Sequence, residues 1–204
     1  MKNQLPCALL ERQVTLGGYD CVPVARLPLN DPIWIHRTLD AGARALIIPM
    51  IKTVAEAEAA VRESKYPPRG TRGFGYSRAN QHGANFDSYV ASATDEIAMV
   101  MQIEHKDAIL SGDGVDGVFI GPLDLSGSMG ITGQLEHPQM LAALEKHHSA
   151  CRAHKKPAGL HIIRPDEKNI ERALADGCTV LALGVDTVFL DQKSGSAALK
   201  LAGR

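Results

Sequence analysis

Two carboxylates in this sequence follow short apolar segments, the position where a strand would present a side chain with a chemical role. Glu104 ends the segment IAMVMQIE (97–104), and Asp124 comes three residues after the segment GVFIG (117–121). Neighbouring parallel strands lie roughly 5 Å apart, so carboxylates at the ends of consecutive strands can reach one ion. Two carboxylates, completed by substrate oxygens and waters, form the hard, near-octahedral site that suits Mg²⁺ or Mn²⁺. We therefore predict a metal site at Glu104 and Asp124.

Each carboxylate also has a simpler interpretation. Side chains alternate along a strand, so Gln102 and Glu104 share one face, but a glutamate that has left the strand can equally meet water. Asp124 can equally be the N-cap of a helix that begins at LSGSMG. Gly121 favours the functional interpretation, because a glycine lets the backbone approach a ligand closely.

Two cations also follow apolar segments. Arg26 ends VPVAR on the same face as two valines, beside a predicted apolar core, where an unpaired guanidinium is costly. Its anion is either a structural carboxylate or the carboxylate or enolate of a substrate. Lys52, after ALIIPM, suggests a competing chemistry, since a lysine at a strand end can form a Schiff base, although it is as well placed for solvent.

Histidines and one loop complete the candidates. His161 lies at the end of an apolar segment, where it either faces the site or is a core histidine with its own partner. The pair 147–148 and His154 fall in a polar helical segment, and we expect them to be solvated. The Pro/Gly-rich stretch YPPRGTRGFG (66–75) predicts a shaped loop with arginine ion pairs at its rim, because it lacks the GK[ST] of a phosphate-binding loop.

Six apolar segments alternate with amphipathic ones, and their nearly continuous apolar character is typical of strands in a covered parallel sheet. The predicted strands are VPVARL (22–27), ALIIPM (45–50), IAMVMQIE (97–104), GVFIG (117–121), PAGLHII (157–163) and TVLALG (179–184). The predicted helices are DPIWIHRTLDAG (31–42), TVAEAEAAVRESKY (53–66), HPQMLAALEKHHSACRAHKK (137–156) and PDEKNIERALADG (165–177).

This alternation predicts an α/β fold, either a doubly wound open sheet or a closed (β/α) barrel. No GxGxxG follows the first strand, which leaves the dinucleotide-binding open sheet with little support. A barrel carries its functional groups at the C-terminal ends of its strands, which is where this sequence has its unusual residues.

The 204 residues suit a single domain, 1–204, and the formal charge of -1 favours neither nucleic acid nor an anionic membrane. A small metabolite is the expected partner. The four cysteines form no metal-binding cluster and are expected to be reduced and mostly buried. No segment reaches the roughly 18 apolar residues of a membrane span, so we expect a cytoplasmic protein.

Several motifs resemble the HpcH/HpaI aldolase family, the class II (metal-dependent) 2-oxo acid aldolases. The resemblance covers about Val22 to about Leu190. The motifs are RLPLNDPIWIHRTLDAGARALIIPMIKTVAEAEAAV, KYPPRGTRGFG, MQIEHKDAI, GVDGVFIGPLDLSGSMG and ALGVDTVFL, in the order of the family.

The resemblance implies a (β/α)₈ barrel that reversibly cleaves a 4-hydroxy-2-oxo acid to pyruvate and an aldehyde, through an enolate stabilised by Mg²⁺, Mn²⁺ or Co²⁺. It also implies a homo-oligomer. The metal ligands of the family fall on Glu104 and Asp124. The arginine that contacts the 2-oxo group falls on Arg26, and a glutamine near the substrate falls on Gln102.

The resemblance further implies that the turn Gly121, Pro122 and Leu123 binds the substrate, with backbone near Leu123 holding the pyruvate carboxylate. A CoA-ester or citrate-type lyase of the same superfamily is the alternative within this resemblance.

Two departures from the family bear on activity. We predict six strands where the family has eight, and the sequence begins within what would be the second barrel helix of the family. None of the eight histidines occupies the place of the histidine that assists proton transfer there. The stretch 103–117 is also about six residues shorter than the family pattern, which leaves little room for a βα crossover. A non-catalytic remnant that binds metal and 2-oxo acid without turnover is therefore the competing hypothesis.

Overall fold

The computed structural model describes residues 21–104 and 113–202, with side chains through residue 194. The described residues form one parallel sheet of six strands in the order β1 to β6, curled as part of a barrel. The strands are β1 (Val24–Arg26), β2 (Ala45–Ile48), β3 (Ala98–Ile103), β4 (Gly117–Ile120), β5 (Ala158–Ile162) and β6 (Cys178–Leu183). All six predicted strands are confirmed, and the shortened stretch after Glu104 lies largely outside the described residues.

The described residues also form seven α-helices and one 3-10 helix, of which the last α-helix follows β6. They are α1 (Pro32–Asp40), α2 (Val54–Ser64), the 3-10 helix Arg78–Gly83, α3 (Phe86–Glu96), α4 (Pro122–Ser128), α5 (Pro138–Ala153), α6 (Glu167–Ala175) and α7 (Asp186–Ala202). In the described residues no helix is long and apolar enough to cross a membrane.

Local sequence explains where the predicted helices begin. The Asp31 side chain accepts hydrogen bonds at the start of α1, and the Thr53 and Glu56 side chains form a capping box at α2. Each cap satisfies backbone N–H groups that have no acceptor inside the helix. We did not predict α3, which has only two buried residues, Tyr89 and Ala93, so its apolar pattern is weak.

The outer face of β3 carries the core of the molecule. Met99 and Met101 are 0% and 2% exposed and pack with residues of the surrounding helices. The opposite face of the same strand presents Gln102 toward the inside of the curled sheet. The predicted division of this strand into an apolar and a polar face is therefore confirmed.

The environment of Arg26 differs from the prediction. Val22 and Val24, on the same face, are 66% and 55% exposed, and the Arg26 side chain is 53% exposed. The predicted apolar core beside Arg26 is wrong because β1 is an edge of the six-stranded sheet, and no described strand lies beyond it.

The histidine pair on α5 was also predicted wrongly as solvated. His147 and His148 are 4% and 3% exposed, because α5 turns these residues, with Met140 and Cys151, toward the interior. The Cys178 thiol lies 3.4 Å from His148 Nε2. Cys151 and Cys178 are buried free thiols as expected, Cys21 is exposed, and Cys7 lies outside the described residues.

The loop 66–75 contains one surface arginine and one buried arginine. Arg69 forms the expected exposed ion pair, 2.7 Å from Asp95. Arg72 also forms an ion pair, 2.7 Å from Asp40, but it is 1% exposed, so the predicted position at the rim is wrong for this residue. The reason is that two tyrosine rings lie within cation–π distance of its guanidinium and allow it to be buried.

Candidate active site

The residues predicted to bind metal and substrate converge at the C-terminal ends of β1, β3 and β4. Gly121 marks the point of convergence. A Cβ atom added there would lie 3.2 Å from Gln102 Nε2 and 3.4 Å from Asp124 Oδ2. It would also lie 3.6 Å from Glu104 Cγ. A glycine avoids the tight contact with Gln102 Nε2, while the other two distances are ordinary van der Waals contacts.

Glu104 is held by three neighbours. Its Oε2 accepts a hydrogen bond of 3.1 Å from the Met50 backbone N–H, and its Oε1 accepts a short one from Gln102 Nε2. Arg26 reaches the same group, with one terminal nitrogen 3.5 Å from Glu104 Oε1 and its Nε donating to Gln102 Oε1 at 3.3 Å. The glutamate is therefore fixed in place rather than free in solvent, with a side chain only 11% exposed.

The electrostatics of this site favour a bound cation. Burial raises the pKa of Glu104 above its usual value, and the negative charge of Asp124 raises that pKa further. Arg26 and the Met50 N–H oppose this shift without cancelling it. A carboxylate whose ionisation is disfavoured by burial and by a second carboxylate beside it gains from a divalent cation, which neutralises the negative charge of both.

The donor set fits a magnesium-like ion. Within the described ranges no group of three or more His, Cys, Asp or Glu side chains could hold a metal, so an ion at the predicted site would have two protein carboxylates, Glu104 and Asp124, as ligands. Mg²⁺ is commonly held by one or two carboxylates, with substrate oxygens and waters completing its shell.

Asp124 lies inside helix α4 rather than at its N-cap, so the alternative interpretation of this residue is wrong. Pro122 begins the helix two residues earlier, and Gly121 is the N-cap. The buried Ser126 hydroxyl donates to the Leu123 carbonyl and accepts from the Gly133 N–H at 3.0 Å, which fixes the turn. The first N–H groups of a helix have no acceptor within it, so they can bind a carboxylate.

Met50 is a site residue that the sequence analysis missed. It follows β2, contacts Glu104 through its backbone, and has a φ of 58° in the left-handed region. No residue type in the segment PMIK signals such a conformation, which non-glycine residues rarely adopt.

The competing candidates lie apart from this cluster of contacts. The Lys52 side chain is exposed, and its backbone N–H donates to Glu56 at the start of α2. A Schiff-base lysine is usually desolvated, so this position offers the alternative little support. His161 is half-buried at the end of β5, with Nε2 3.4 Å from the Gly184 carbonyl oxygen, and it lines the same cavity as Leu123, which fits either interpretation of this residue.

The fold and the site define a protein of the (β/α)-barrel class with an acidic site at the C-terminal ends of its strands. The chain belongs to the HpcH/HpaI aldolase/citrate lyase family, whose sequence model matches residues 8–191. With its relatives, this membership makes it a carbon–carbon lyase of the aldolase kind.

Two curated relatives and one solved structure show the extent of the similarity. The chain is 38% identical over 205 residues to a 4-hydroxy-2-oxo-heptane-1,7-dioate aldolase of Klebsiella pneumoniae, covering 97% of this chain and 76% of the relative. It is 40% identical over 201 residues to a pyruvate aldolase of Rhizobium etli, covering 95% and 78%. An HpcH/HpaI family protein from Burkholderia cenocepacia superposes with a TM-score of 0.89 at 28% identity, covering 97% of this chain and 80% of that protein.

Proposed function

We propose that this chain is a metal-dependent aldolase that reversibly cleaves a 4-hydroxy-2-oxo acid to pyruvate and an aldehyde. The observation that carries the proposal is the packing of Gln102, Glu104 and Asp124 around Gly121, with Arg26 in contact with the first two. The aldolase names of the relatives support the same reaction class.

Glu104 and Asp124 would hold the cation, Mg²⁺, Mn²⁺ or Co²⁺, which supplies Lewis-acid charge to the oxygens of the 2-oxo acid. Arg26 would donate to the 2-oxo oxygen, where negative charge develops as the C3–C4 bond breaks and the enolate of pyruvate forms. Gln102 keeps the Arg26 guanidinium and the Glu104 carboxylate in a fixed relation, because it is hydrogen-bonded to both.

The turn at the start of α4 would bind the other end of pyruvate. The backbone N–H groups near Leu123 are candidates for donors to its carboxylate, and Gly121 and Pro122 shape the floor of the turn. The reaction needs no covalent nucleophile in this arrangement.

An assay of pyruvate release tests the proposal. The purified chain would be stripped with EDTA, reloaded with Mg²⁺, Mn²⁺ or Co²⁺, and supplied with 4-hydroxy-2-oxo acids of different chain lengths. Lactate dehydrogenase would report pyruvate. We expect release that EDTA abolishes and an added divalent cation restores. No cation-dependent release from any such substrate would refute the proposal.

The same preparation discriminates the alternative functions. Binding of Mn²⁺ and of oxalate, a non-cleavable analogue of the pyruvate enolate, without turnover of any substrate would indicate the non-catalytic remnant. Cleavage of a citrate-type or CoA-ester substrate in place of the hydroxy-oxo acids would indicate the other lyase class.

We also propose that the chain acts as a homo-oligomer. β1 and β6 are the edges of the described sheet, and edge strands present unpaired backbone groups that natural proteins usually cover. Light scattering on the purified chain should give a mass that is a multiple of 21.9 kDa, and a mass equal to one chain would contradict this part of the proposal.

A further inference from the structure

Met50 combines a strained backbone with an exposed apolar side chain. Its φ of 58° places it in the left-handed region, which costs a non-glycine residue roughly 1–2 kcal/mol. The other described non-glycine residues with positive φ are the polar residues Gln81, His82 and Lys155. Met50 differs because its side chain is apolar, large and 50% exposed.

The left-handed backbone at Met50 directs two consecutive N–H groups toward β3. Its N–H donates to Glu104 Oε2 at 3.1 Å, and the next N–H, of Ile51, donates to the Gln102 carbonyl at 3.3 Å. The left-handed turn therefore ties the end of β2 to the end of β3 and positions Glu104. A glycine would make the same two hydrogen bonds with less strain.

The methionine side chain therefore needs a separate explanation. It lies outside the buried core clusters, so burial in the core does not explain it. Across the carboxylates, Leu123 is 45% exposed and directly precedes Asp124. Each predicted metal ligand thus has an exposed apolar side chain next to it. Leu123 also borders a cavity of about 390 Å³ whose lining combines apolar residues such as Leu144 and Leu160 with charged ones such as Arg164 and Arg172.

We propose that Met50 determines which aldehyde the enzyme accepts. Its backbone positions Glu104, and its thioether side chain forms, with Leu123, an apolar wall for the part of the aldehyde beyond the carbonyl. The wall favours aldehydes with an aliphatic or aromatic chain over short polyhydroxylated ones. This inference rests on the proposed aldolase function.

The test compares two acceptors in the direction of aldol addition to pyruvate. The ratio of kcat/KM for hexanal to that for glyceraldehyde would be measured for the wild type, Met50→Gly, Met50→Leu and Leu123→Ala. Mn²⁺ affinity, measured by electron paramagnetic resonance, reports whether Glu104 is still in place. Because one or two methylene groups in a pocket change discrimination about 10-fold or more, we expect Met50→Gly to lower the ratio about 10-fold.

The other variants complete the expected pattern. Met50→Leu, which replaces the thioether by another apolar side chain of similar volume, should keep the ratio of the wild type. Leu123→Ala should lower the ratio independently of any backbone effect at Met50. A ratio that stays within about twofold of the wild type in both Met50→Gly and Leu123→Ala would overturn the inference.

Two further results have distinct meanings. A wild type that adds pyruvate to no aldehyde contradicts the proposed function, whatever the variants do. An active wild type whose Met50→Gly variant changes its mass in light scattering but keeps its acceptor ratio would make Met50 a subunit contact, and would overturn the inference alone.

Discussion

Charged groups at the two ends of the sheet are arranged in opposite ways. At the N-terminal ends of the strands, the Arg72 side chain is 1% exposed and lies with its guanidinium 4.7 Å from the Tyr66 ring centre. It donates hydrogen bonds to Asp40 at 2.7 Å and to the Tyr89 hydroxyl at 3.3 Å. Nearby, Lys65 Nζ donates to two backbone carbonyls at 2.6 and 2.8 Å. Both cations have hydrogen-bond acceptors inside the protein, and burial lowers the pKa of Lys65.

At the C-terminal ends, like charges lie together. Glu104 and Asp124 raise the free energy of the unliganded protein, as the raised pKa of Glu104 indicates, and Met50 adds backbone strain beside them. The first cluster of charges therefore maintains the fold, whereas the second, although held by Arg26, Gln102 and the Met50 N–H, contains a carboxylate whose charge a bound cation would stabilise further. Residues of the second cluster should therefore be replaceable without loss of folding, and residues of the first should not.

Glu104→Gln should give the largest effect on activity. The amide keeps the shape but loses a metal ligand, so we expect cation-dependent kcat/KM to fall roughly 10⁴-fold. Because burial and the charge of Asp124 raise the pKa of Glu104, ionised Glu104 is disfavoured in the folded state, and the neutral amide should raise the free energy of unfolding at pH 7.

Glu58→Gln, on the exposed face of α2, is the control and should change neither quantity. Urea unfolding without metal and the pyruvate assay with metal give the two measurements. A Glu104→Gln variant that keeps a tenth of the wild-type activity, or that unfolds at a markedly lower urea concentration, would contradict the claim that Glu104 serves the site rather than the fold.

Arg72→Met should give the largest effect on stability. Removing the cation leaves the buried Tyr89 hydroxyl without its partner, whereas Asp40, 45% exposed, can be hydrated, so we expect a cost of roughly 1 to 3 kcal/mol. Arg69→Met, in the same loop, removes an ion pair whose partners are 65% and 73% exposed, and should cost less than about 1 kcal/mol. Equal midpoints of urea unfolding for the two variants would contradict the assigned difference between these arginines.

The difference between Arg69 and Arg72 shows what sequence alone could predict. Both arginines lie in one polar loop with no periodic pattern, so their burial depends on α3, whose Tyr89 comes from a helix with a weak apolar pattern. His147 and His148 were misjudged for a related reason, because adjacent polar residues hide the inward side of α5. The strands were predictable, since their apolar character is nearly continuous over several residues.

The candidate site was predictable to the same extent as its strands. Gln102, Glu104 and Asp124 follow from strand ends and motifs, and Gly121 from its place between them. The contribution of Met50 was not predictable, because it is made by a backbone N–H in an unusual conformation. The exposure of Arg26 was missed because it depends on which strands border β1.

Arg26→Lys should give an intermediate effect. Lysine keeps the charge but lacks the planar guanidinium that bonds Gln102 through Nε and reaches Glu104 through a terminal nitrogen. We expect kcat/KM to fall roughly 100-fold with the free energy of unfolding within about 0.5 kcal/mol of the wild type. Arg44→Lys, in an exposed ion pair with Glu96, is the control. A large loss of stability at Arg26→Lys would assign Arg26 to the fold rather than to the site.

Acidification should produce the smallest of these effects, through α5. Burial lowers the pKa of His147 from 6.5 to about 4, so its neutral form is favoured in the folded state. The stability it contributes is complete above pH 6.5 and is lost as the pH falls toward 4, amounting to roughly 2 kcal/mol by pH 5. His147→Gln should flatten this part of the stability profile, whereas the exposed His154→Gln should not. Identical profiles for wild type and His147→Gln would contradict the assignment.

A crystal of the wild type soaked with Mn²⁺ and oxalate tests the central claim, which is that Glu104 and Asp124 together bind a divalent cation. We predict an anomalous peak at their carboxylates, with an oxygen of each about 2.0 to 2.3 Å from the ion and oxalate completing the shell beside Arg26. The same soak of Glu104→Gln should show no peak there. An anomalous map of the wild type without a peak between these two carboxylates would contradict the claim.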